Sequence, residues 1–483
     1  MKLTIRQTFT IILFLGLFVM TIFPIADPDF WWHLRTGQLI AQTHSIPHVD
    51  PYSFTNNGKP WVAHEWLSEL IIYGLFFIGS YSLLSFVFSL IITTAFLLTL
   101  LRTPSGSRPY IAGFVILLGS IATAPTWGVR PQMISLLITS IFLLLLDRFL
   151  STEKIAFILP LPLITLLWVN LHAGYFLGLV IILLYIGGLT VEIIYARFRN
   201  SNKVNPQSVR VLLSLCVILL LCILASLVNP NGYHILLYPF QTLSSPAMQQ
   251  FIIEWFSPDF HQLQWQPLAL FFLAFIVVGM LSSKTVSPIK IFLSLLFGYA
   301  ALRSMRNVPL FVVVTAPILT EQIDSLVKIK SADKAPNLFL KWVNLIFLIC
   351  LTLIVGFRFI QVNQAQSKTE GEKFPQSAVN WIEQNKPKGN LFNSYNWGGY
   401  LIWKLYPDYQ VYIDGRADVY GDSFIFQYLE IYRSQPGWEQ ALASKSINLV
   451  LVEPRSGIAN ALKQSSKWII AYEDSISVVF ERK

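Results

Sequence analysis

Between residues 8 and 360 the chain alternates apolar stretches with short polar turns. The length of each stretch decides what it can be, because a helix crossing a bilayer needs about 20 residues. Stretches 8–25, 81–101, 110–125, 131–150, 155–170, 174–195, 209–228, 267–283, 288–302, 307–320 and 340–360 read as spans, about eleven in all. Residues 67–79, LSELIIYGLFFIG, are too short to span and predict a helix lying in the interface. Two longer polar intervals, 27–66 and 229–266, are expected as loops.

The pattern changes at residue 373. SAVNWIEQN has helical spacing, whereas GNLFNS, YQVYIDG and INLVLVE read as strands and WIIAYEDSISVVFE as one or two more. Helix and strand signals mixed over about 110 residues predict a small α/β domain with its own core. The expected fold class is therefore a polytopic α-helical membrane protein with about eleven transmembrane helices and a C-terminal α/β domain. Residues 1–360 form the membrane part, 361–372 a polar linker and 373–483 the appended domain.

Composition agrees with this reading. Only 13% of the 483 residues are charged and 54% are hydrophobic, against about 25% charged in ordinary globular chains. The net charge of +9 does not imply nucleic acid, because the basic residues sit in short turns between apolar runs and no basic patch is interleaved with aromatics. Cys216, Cys222 and Cys350 lie inside apolar runs, where a free cysteine behaves as a small hydrophobe. The first run is long for a signal peptide and is expected to remain as an uncleaved helix.

Placing Lys2 and Arg6 in the cytoplasm puts Arg102, Arg108, Arg197, Arg199, Lys203, Arg210, Lys284 and Lys290 inside as well, as the positive-inside rule requires. The opposite turns then carry DPDFWWH, PTWGVRPQ, WVNLHAGY, NPNGYH, IIEWFSPDF and RSMRN. This predicts a bacterial-type plasma-membrane protein with a cytoplasmic N-terminus, an extracytoplasmic C-terminal domain and one chemically loaded outer face.

Asp27 and Asp29 leave the first span on either side of Pro28, which fixes a non-helical exit. Two carboxylates at this spacing can hold a divalent cation such as magnesium or manganese, with Asp29 as ligand, or keep one carboxylate poised as a base. They can equally cap a helix end in water, with Trp31 and Trp32 as an interfacial belt. His33, His44, His48, Asp50, His64 and Glu65 follow in the same interval and Glu69 just past it, and their spacing matches no compact zinc pattern. His172 ends WVNLH, Glu254 lies in IIEWF, and Arg303 and Arg306 flank a span on the outer side. An arginine pair there suits a phosphate, or anchors to headgroups. Asp414, Arg416 and Asp418 in VYIDGRADVYG make either a local ion-pair network or a charged edge facing a substrate.

The segment FPQSAVNWIEQNKPKGNLFNSYNWGGYLIWKLYPDYQVYIDGRADVYG is similar to the region carrying the WWDYG motif in oligosaccharyltransferase catalytic subunits, members of the GT-C superfamily. The chain also resembles bacterial membrane proteins with DPDxWWHL, WxNxHxG and DGRADVY motifs. Aligned on Ser394, Gly399 and Tyr400, the chain has Tyr395, Asn396 and Trp397 where that family has Trp-Trp-Asp, so the elements that read an Asn-X-Ser/Thr acceptor are absent. The resemblance implies transfer of a sugar from a polyprenyl-phosphate donor to an acceptor on the outer face. It implies Asp27 or Asp29 as base or metal ligand; for such a donor, the Arg303 and Arg306 pair is expected to hold the phosphate. His33, His172, Glu254, Tyr400 and Arg416 would then contact substrate. Lipid-linked donor and membrane lipids are the expected partners, the acceptor is open, and nucleic acid is not expected. The rival expectation is a non-enzymatic transporter or assembly factor with a partner-binding outer domain. A transporter should carry polar groups at mid-membrane depth, and these spans are nearly clean.

Overall fold

The computed structural model describes residues 5–104, 108–200, 206–327 and 338–483. Lys2 and Lys203, used above for orientation, lie outside the described residues. In chain order the helices of the membrane part are α1 (Ile5–Thr21), α2 (Phe30–Thr43), α3 (Trp66–Leu101), α4 (Pro109–Thr123), α5 (Pro131–Thr152), α6 (Leu161–Leu171) and α7 (Tyr175–Asn200). There follow α8 (Pro206–Ser226), α9 (His234–Ser244), α10 (Pro246–Phe251), α11 (Gln266–Leu281), α12 (Pro288–Arg303), α13 (Val308–Leu326) and α14 (Leu338–Lys373). Every expected span has its helix. Among the described residues eight helices are long and apolar enough to cross a membrane, while α1 and α6 are shorter apolar helices and α12 has 16 residues. The chain is an integral membrane protein.

Two compact units form. The first comprises Met1–Phe23, Phe86–Leu237 and Ile253–Gln361; the second comprises Pro24–Ser85, Tyr238–Ile252 and Val362–Lys483.

In the first unit α13 is the enclosed centre: 78% of its apolar window is buried inside the protein, against none of α14's. Gly119 lets α4 close on α13, since a methyl group there would lie 2.4 Å from Val312. The basic residues assigned to inner turns find acids at neighbouring helix ends. Arg102 meets Asp147 at 2.8 Å, Arg108 meets Asp324 at 3.0 Å, and Lys284 meets Glu321 at 2.9 Å. These pairs tie together the ends of α3, α4, α5, α12 and α13.

The second unit corrects the expected 27–66 loop. Residues 30–43 are a helix because Phe30, Trp31, Leu34 and Ile40 give it a buried face, and Pro28 with Asp29 marks where it starts. The 229–266 interval likewise holds α9 and α10. Helix α3 breaks at Gly79 and Ser80, the latter at φ 52°, which sets residues 66–78 apart from the following span.

The expected linker 361–372 is instead the last turns of α14. Its polar residues have partners within the unit. Gln366 bonds both the amide and the carbonyl of Ile25, at 2.8 and 3.0 Å, and Glu370 accepts from Tyr400 at 3.1 Å. Beyond it lie α15 (Gln376–Asn385), β1 (Asn390–Asn393), α16 (Gly398–Leu405), α17 (Ala417–Tyr420), α18 (Asp422–Tyr432), α19 (Trp438–Ser444), β2 (Ile447–Val452), α20 (Gly457–Gln464), β3 (Trp468–Glu473) and β4 (Val478–Arg482). The sheet order is β1-β2-β4-β3, with β1 parallel to β2 and the other pairings antiparallel.

YQVYIDG is not a strand of this sheet. Its backbone is extended but makes a single bridge, Val411 to Ser53. The Asn393 side chain takes the Tyr412 amide at 2.8 Å and donates to the Ile413 carbonyl at 2.8 Å. An asparagine side chain thus occupies the place of a neighbouring strand.

Candidate functional site

The two N-terminal acids sit half-buried where the chain enters α2. Asp27 Oδ1 accepts the Asp29 amide at 2.9 Å, closing a turn around Pro28. Asp29 Oδ1 accepts the Trp32 indole Nε1–H at 3.1 Å. Both carboxylates lie at the positive end of the helix dipole, where anions are favoured.

The C-terminal domain supplies the other wall within the same unit. Gly415 faces Asp29 so closely that a methyl group at its Cα would fall 1.9 Å from Asp29 Oδ1. Gly399 does the same against the Pro28 carbonyl at 2.6 Å, and Gly398 against the Ile413 carbonyl at 2.2 Å. The glycines of NWGGY and DGR therefore let backbone approach backbone around the acids. Tyr395, at one of the positions that depart from the WWDYG pattern, donates its hydroxyl to the Gly415 carbonyl at 3.2 Å; Asn396 beside it is exposed.

Arg416 holds this wall in place. It is 2% exposed. Its Nε and Nη2 donate to Asp414 at 2.8 and 2.7 Å, and Nη2 also donates to Asp50 at 2.8 Å. The guanidinium lies between the Tyr52 and Trp61 rings, 5.0 and 4.5 Å from their centroids. Burial opposes its charge, but Asp414 and then Asp50 outweigh that and push its pKa up. Of the two arrangements expected at Arg416, the ion-pair network is the one observed.

Tyr400 is likewise an interior group. It is fully buried, stacked on Phe374 with centroids 5.0 Å apart, and its hydroxyl donates to Glu370. His33 is 2% exposed, its ring tilted against that of Trp32 with centroids 3.7 Å apart, with Nδ1 3.4 Å from Glu69 and Nε2 3.6 Å from Glu65. Burial first, and then His64, lower its pKa well below the ordinary histidine value. All three are interior groups.

The first unit has its own polar cluster. Glu254 is ion-paired with Arg130, and Arg306 lies over the Trp255 ring at 4.7 Å. Burial would raise the Glu254 pKa, but Arg130 and then Arg306 lower it. Ser304 Oγ donates to the Glu254 carbonyl at 2.7 Å. Arg303 is exposed, its Nη1 3.3 Å from the Tyr299 hydroxyl. The guanidinium that shares Glu254 with Arg306 is thus Arg130, not Arg303. Arg130 of PTWGVRPQ is not among the candidates expected from sequence; its signal there is an arginine at a helix entrance within a polar turn. His172 caps α6, its Nδ1 2.7 Å from Ser135 Oγ.

A divalent cation does not find a cage here. Among the described residues no group of three or more His, Cys, Asp or Glu side chains is placed to hold a metal. Asp27 and Asp29 each have one oxygen committed to the helix entrance. The expected metal role of Asp29 has no support in this donor set, and no step below runs through a metal.

The fold is similar to that of two solved proteins. The oligosaccharyltransferase AglB from Archaeoglobus fulgidus, solved in complex with an inhibitory peptide and a dolichol-phosphate, superimposes with a TM-score of 0.55 at 12% identity, covering 92% of this chain and 69% of AglB. ArnT from Cupriavidus metallidurans, solved bound to undecaprenyl phosphate, gives 0.50 at 12% identity over 98% of this chain and 96% of ArnT. No protein-family profile and no curated protein matches the chain.

Proposed function

We propose that this protein is a membrane glycosyltransferase that moves a sugar from a polyprenyl-phosphate donor to an acceptor hydroxyl on the extracytoplasmic face of a bacterial-type plasma membrane. The observation that carries the reading is Asp29, held at the head of α2 by Trp32 and walled by Gly415. Support comes from the fold shared with AglB and ArnT, both solved with a polyprenyl phosphate carrier.

In this reading the Asp29 carboxylate takes the acceptor's hydroxyl proton as its oxygen attacks the anomeric carbon. The bond between that carbon and the phosphate oxygen breaks, and the lipid phosphate departs with the electron pair. Asp27 orients Asp29 through its amide. The N-terminus is assigned to the cytoplasm and the C-terminal domain to the outer face.

The test is transfer from synthetic polyprenyl-phosphate sugars by the full chain in proteoliposomes. Asp29→Asn should lose at least about 100-fold in kcat while unfolding at the wild-type temperature. A fully active Asp29→Asn protein defeats the assignment of the base.

A further inference from the structure

Six basic residues gather at one end of the C-terminal sheet, and the strand register puts them there. β1 starts opposite Ile447 of β2, and the Asn390 side-chain amide donates to the Lys445 carbonyl at 2.9 Å. Lys386 and Lys388 lead into that end of β1, and Lys445 into that end of β2. β4 runs antiparallel, so it finishes at the same end with Arg482 and Lys483. There the Lys483 amide donates to the Lys467 carbonyl at 2.9 Å, just before β3 begins. All six residues are exposed, and four strands spread them over about 14 Å. Lys467 is paired with Glu439 at 2.7 Å, and Lys386 ends α15, where a cation offsets the helix dipole. Lys388, Lys445, Arg482 and Lys483 have neither explanation, and none of the four forms an ion pair among the described residues.

Two cavities that meet at Lys388 open at this end. One, of about 730 Å³, is lined by Lys386, Lys388 and Lys404 and by Phe54, Tyr406 and Tyr409, with Glu383 and Asp408 among them. The other, of about 480 Å³, adds Asn448, Glu481, Arg482 and Lys483. Lys404 is already engaged by Glu370 at 3.2 Å, and the Tyr409 hydroxyl donates to the Pro387 carbonyl at 2.7 Å, tying two parts of the wall together. We propose that this groove binds an acidic oligosaccharide, a chain of sugars carrying carboxylate or phosphate groups. The cations meet its charges, and the aromatic residues offer apolar surface to the sugar faces. Glu383, Asp408, Glu481 and Asn448 supply partners for hydroxyl groups. The same three carboxylates disfavour a nucleic-acid backbone, which presents a charge at every step. A bilayer surface is flat and does not enter concave walls. That the oligosaccharide is the acceptor rests on the transfer reaction proposed above; binding stands on the groove alone.

The experiment is calorimetric titration of the full chain in phosphatidylcholine nanodiscs, with no sugar donor present. The probe is hexagalacturonate, and its fully methyl-esterified form is the uncharged control. The acid should bind about tenfold more tightly than the ester, and the difference should shrink as salt is raised. Equal affinities, or no binding of the acid, overturn the proposal. The triple variant Lys388→Ala/Lys445→Ala/Arg482→Ala changes only exposed residues. It should keep the wild-type unfolding temperature and weaken binding of the acid about tenfold, the product of three exposed charge contacts. Unchanged affinity in the folded triple variant removes these cations from the site. Hexathymidylate bound as tightly as hexagalacturonate, or displacement of the sugar by phosphatidylglycerol vesicles, overturns the oligosaccharide in favour of an undiscriminating anion surface. If no lipid-linked sugar is turned over, the transfer function fails while the titration still decides the groove.

Discussion

Gly415→Ala isolates the placement of Asp29 from its chemistry. The added methyl lies 1.9 Å from Asp29 Oδ1 and 3.4 Å from Trp32 Nε1, where ordinary contact begins at 3.4 Å. Gly415 does not have a positive φ, so alanine suits the backbone and the strain falls on the neighbour. The carboxylate must retreat by roughly 1.5 Å, which breaks its 3.1 Å bond from Trp32. That bond to a charged acceptor is worth about 1.5–3 kcal/mol. Displacing a reacting group by about 1 Å costs on the order of 100-fold in rate. The expected result is a fall of about 100-fold in kcat for sugar transfer in proteoliposomes, with modest loss of thermal stability. The double variant Gly415→Ala/Asp29→Asn should be no worse than the poorer single change, because both act on one carboxylate. Wild-type kcat in a stable Gly415→Ala protein would refute the argument that Gly415 sets the position of Asp29.

Two further predictions concern the groups found inside. Arg416→Ala should destabilise by about 3–5 kcal/mol, because Asp50 and Asp414 stay buried without their cation; Arg416→Lys should not rescue it, lacking the planar fork. A chemical-denaturation midpoint unchanged in Arg416→Ala would contradict the network. For His33 the folded pKa is lowered, so the folded state binds fewer protons than the unfolded one. Stability is full above the unfolded value near 6.5 and should fall below it by up to about 1.4 kcal/mol per pH unit. His33→Gln should flatten a thermal-unfolding profile between neutral and acid pH, and an unaltered slope would rule out His33 as the source.

The spans were legible because a bilayer selects for length and apolarity, two properties read directly from residues 81–101 or 131–150. Helix α2 was hidden because Asp29, His33 and Arg35 look solvated until their partners are known. His33 lies beside Glu69, and Arg35 donates to the Tyr406 carbonyl at 2.8 Å, more than 300 residues away. YQVYIDG alternates like a strand, yet its partner is the Asn393 side chain, which no local pattern announces. The paired acids stood out by their spacing around Pro28, which left their role open between a site and a helix cap. The glycines that seat them were visible, but their function depends on backbone contacts made only after folding.

The second unit joins Pro24–Ser85 to Val362–Lys483, and Asp50 finds Arg416 only across that gap. During synthesis the early segment has emerged long before its counter-charge exists. About 330 residues separate Ser85 from Arg416, roughly twenty seconds to a minute of elongation at ordinary rates. Throughout that interval Trp31, Tyr52 and Asp50 await their final neighbours, so the nascent chain carries an unfinished half-domain while its helices are inserted one by one. A chain halted before residue 416 keeps Asp50 without its counter-charge and Tyr52 and Trp61 without the guanidinium beside them, features that chaperones and proteases recognise.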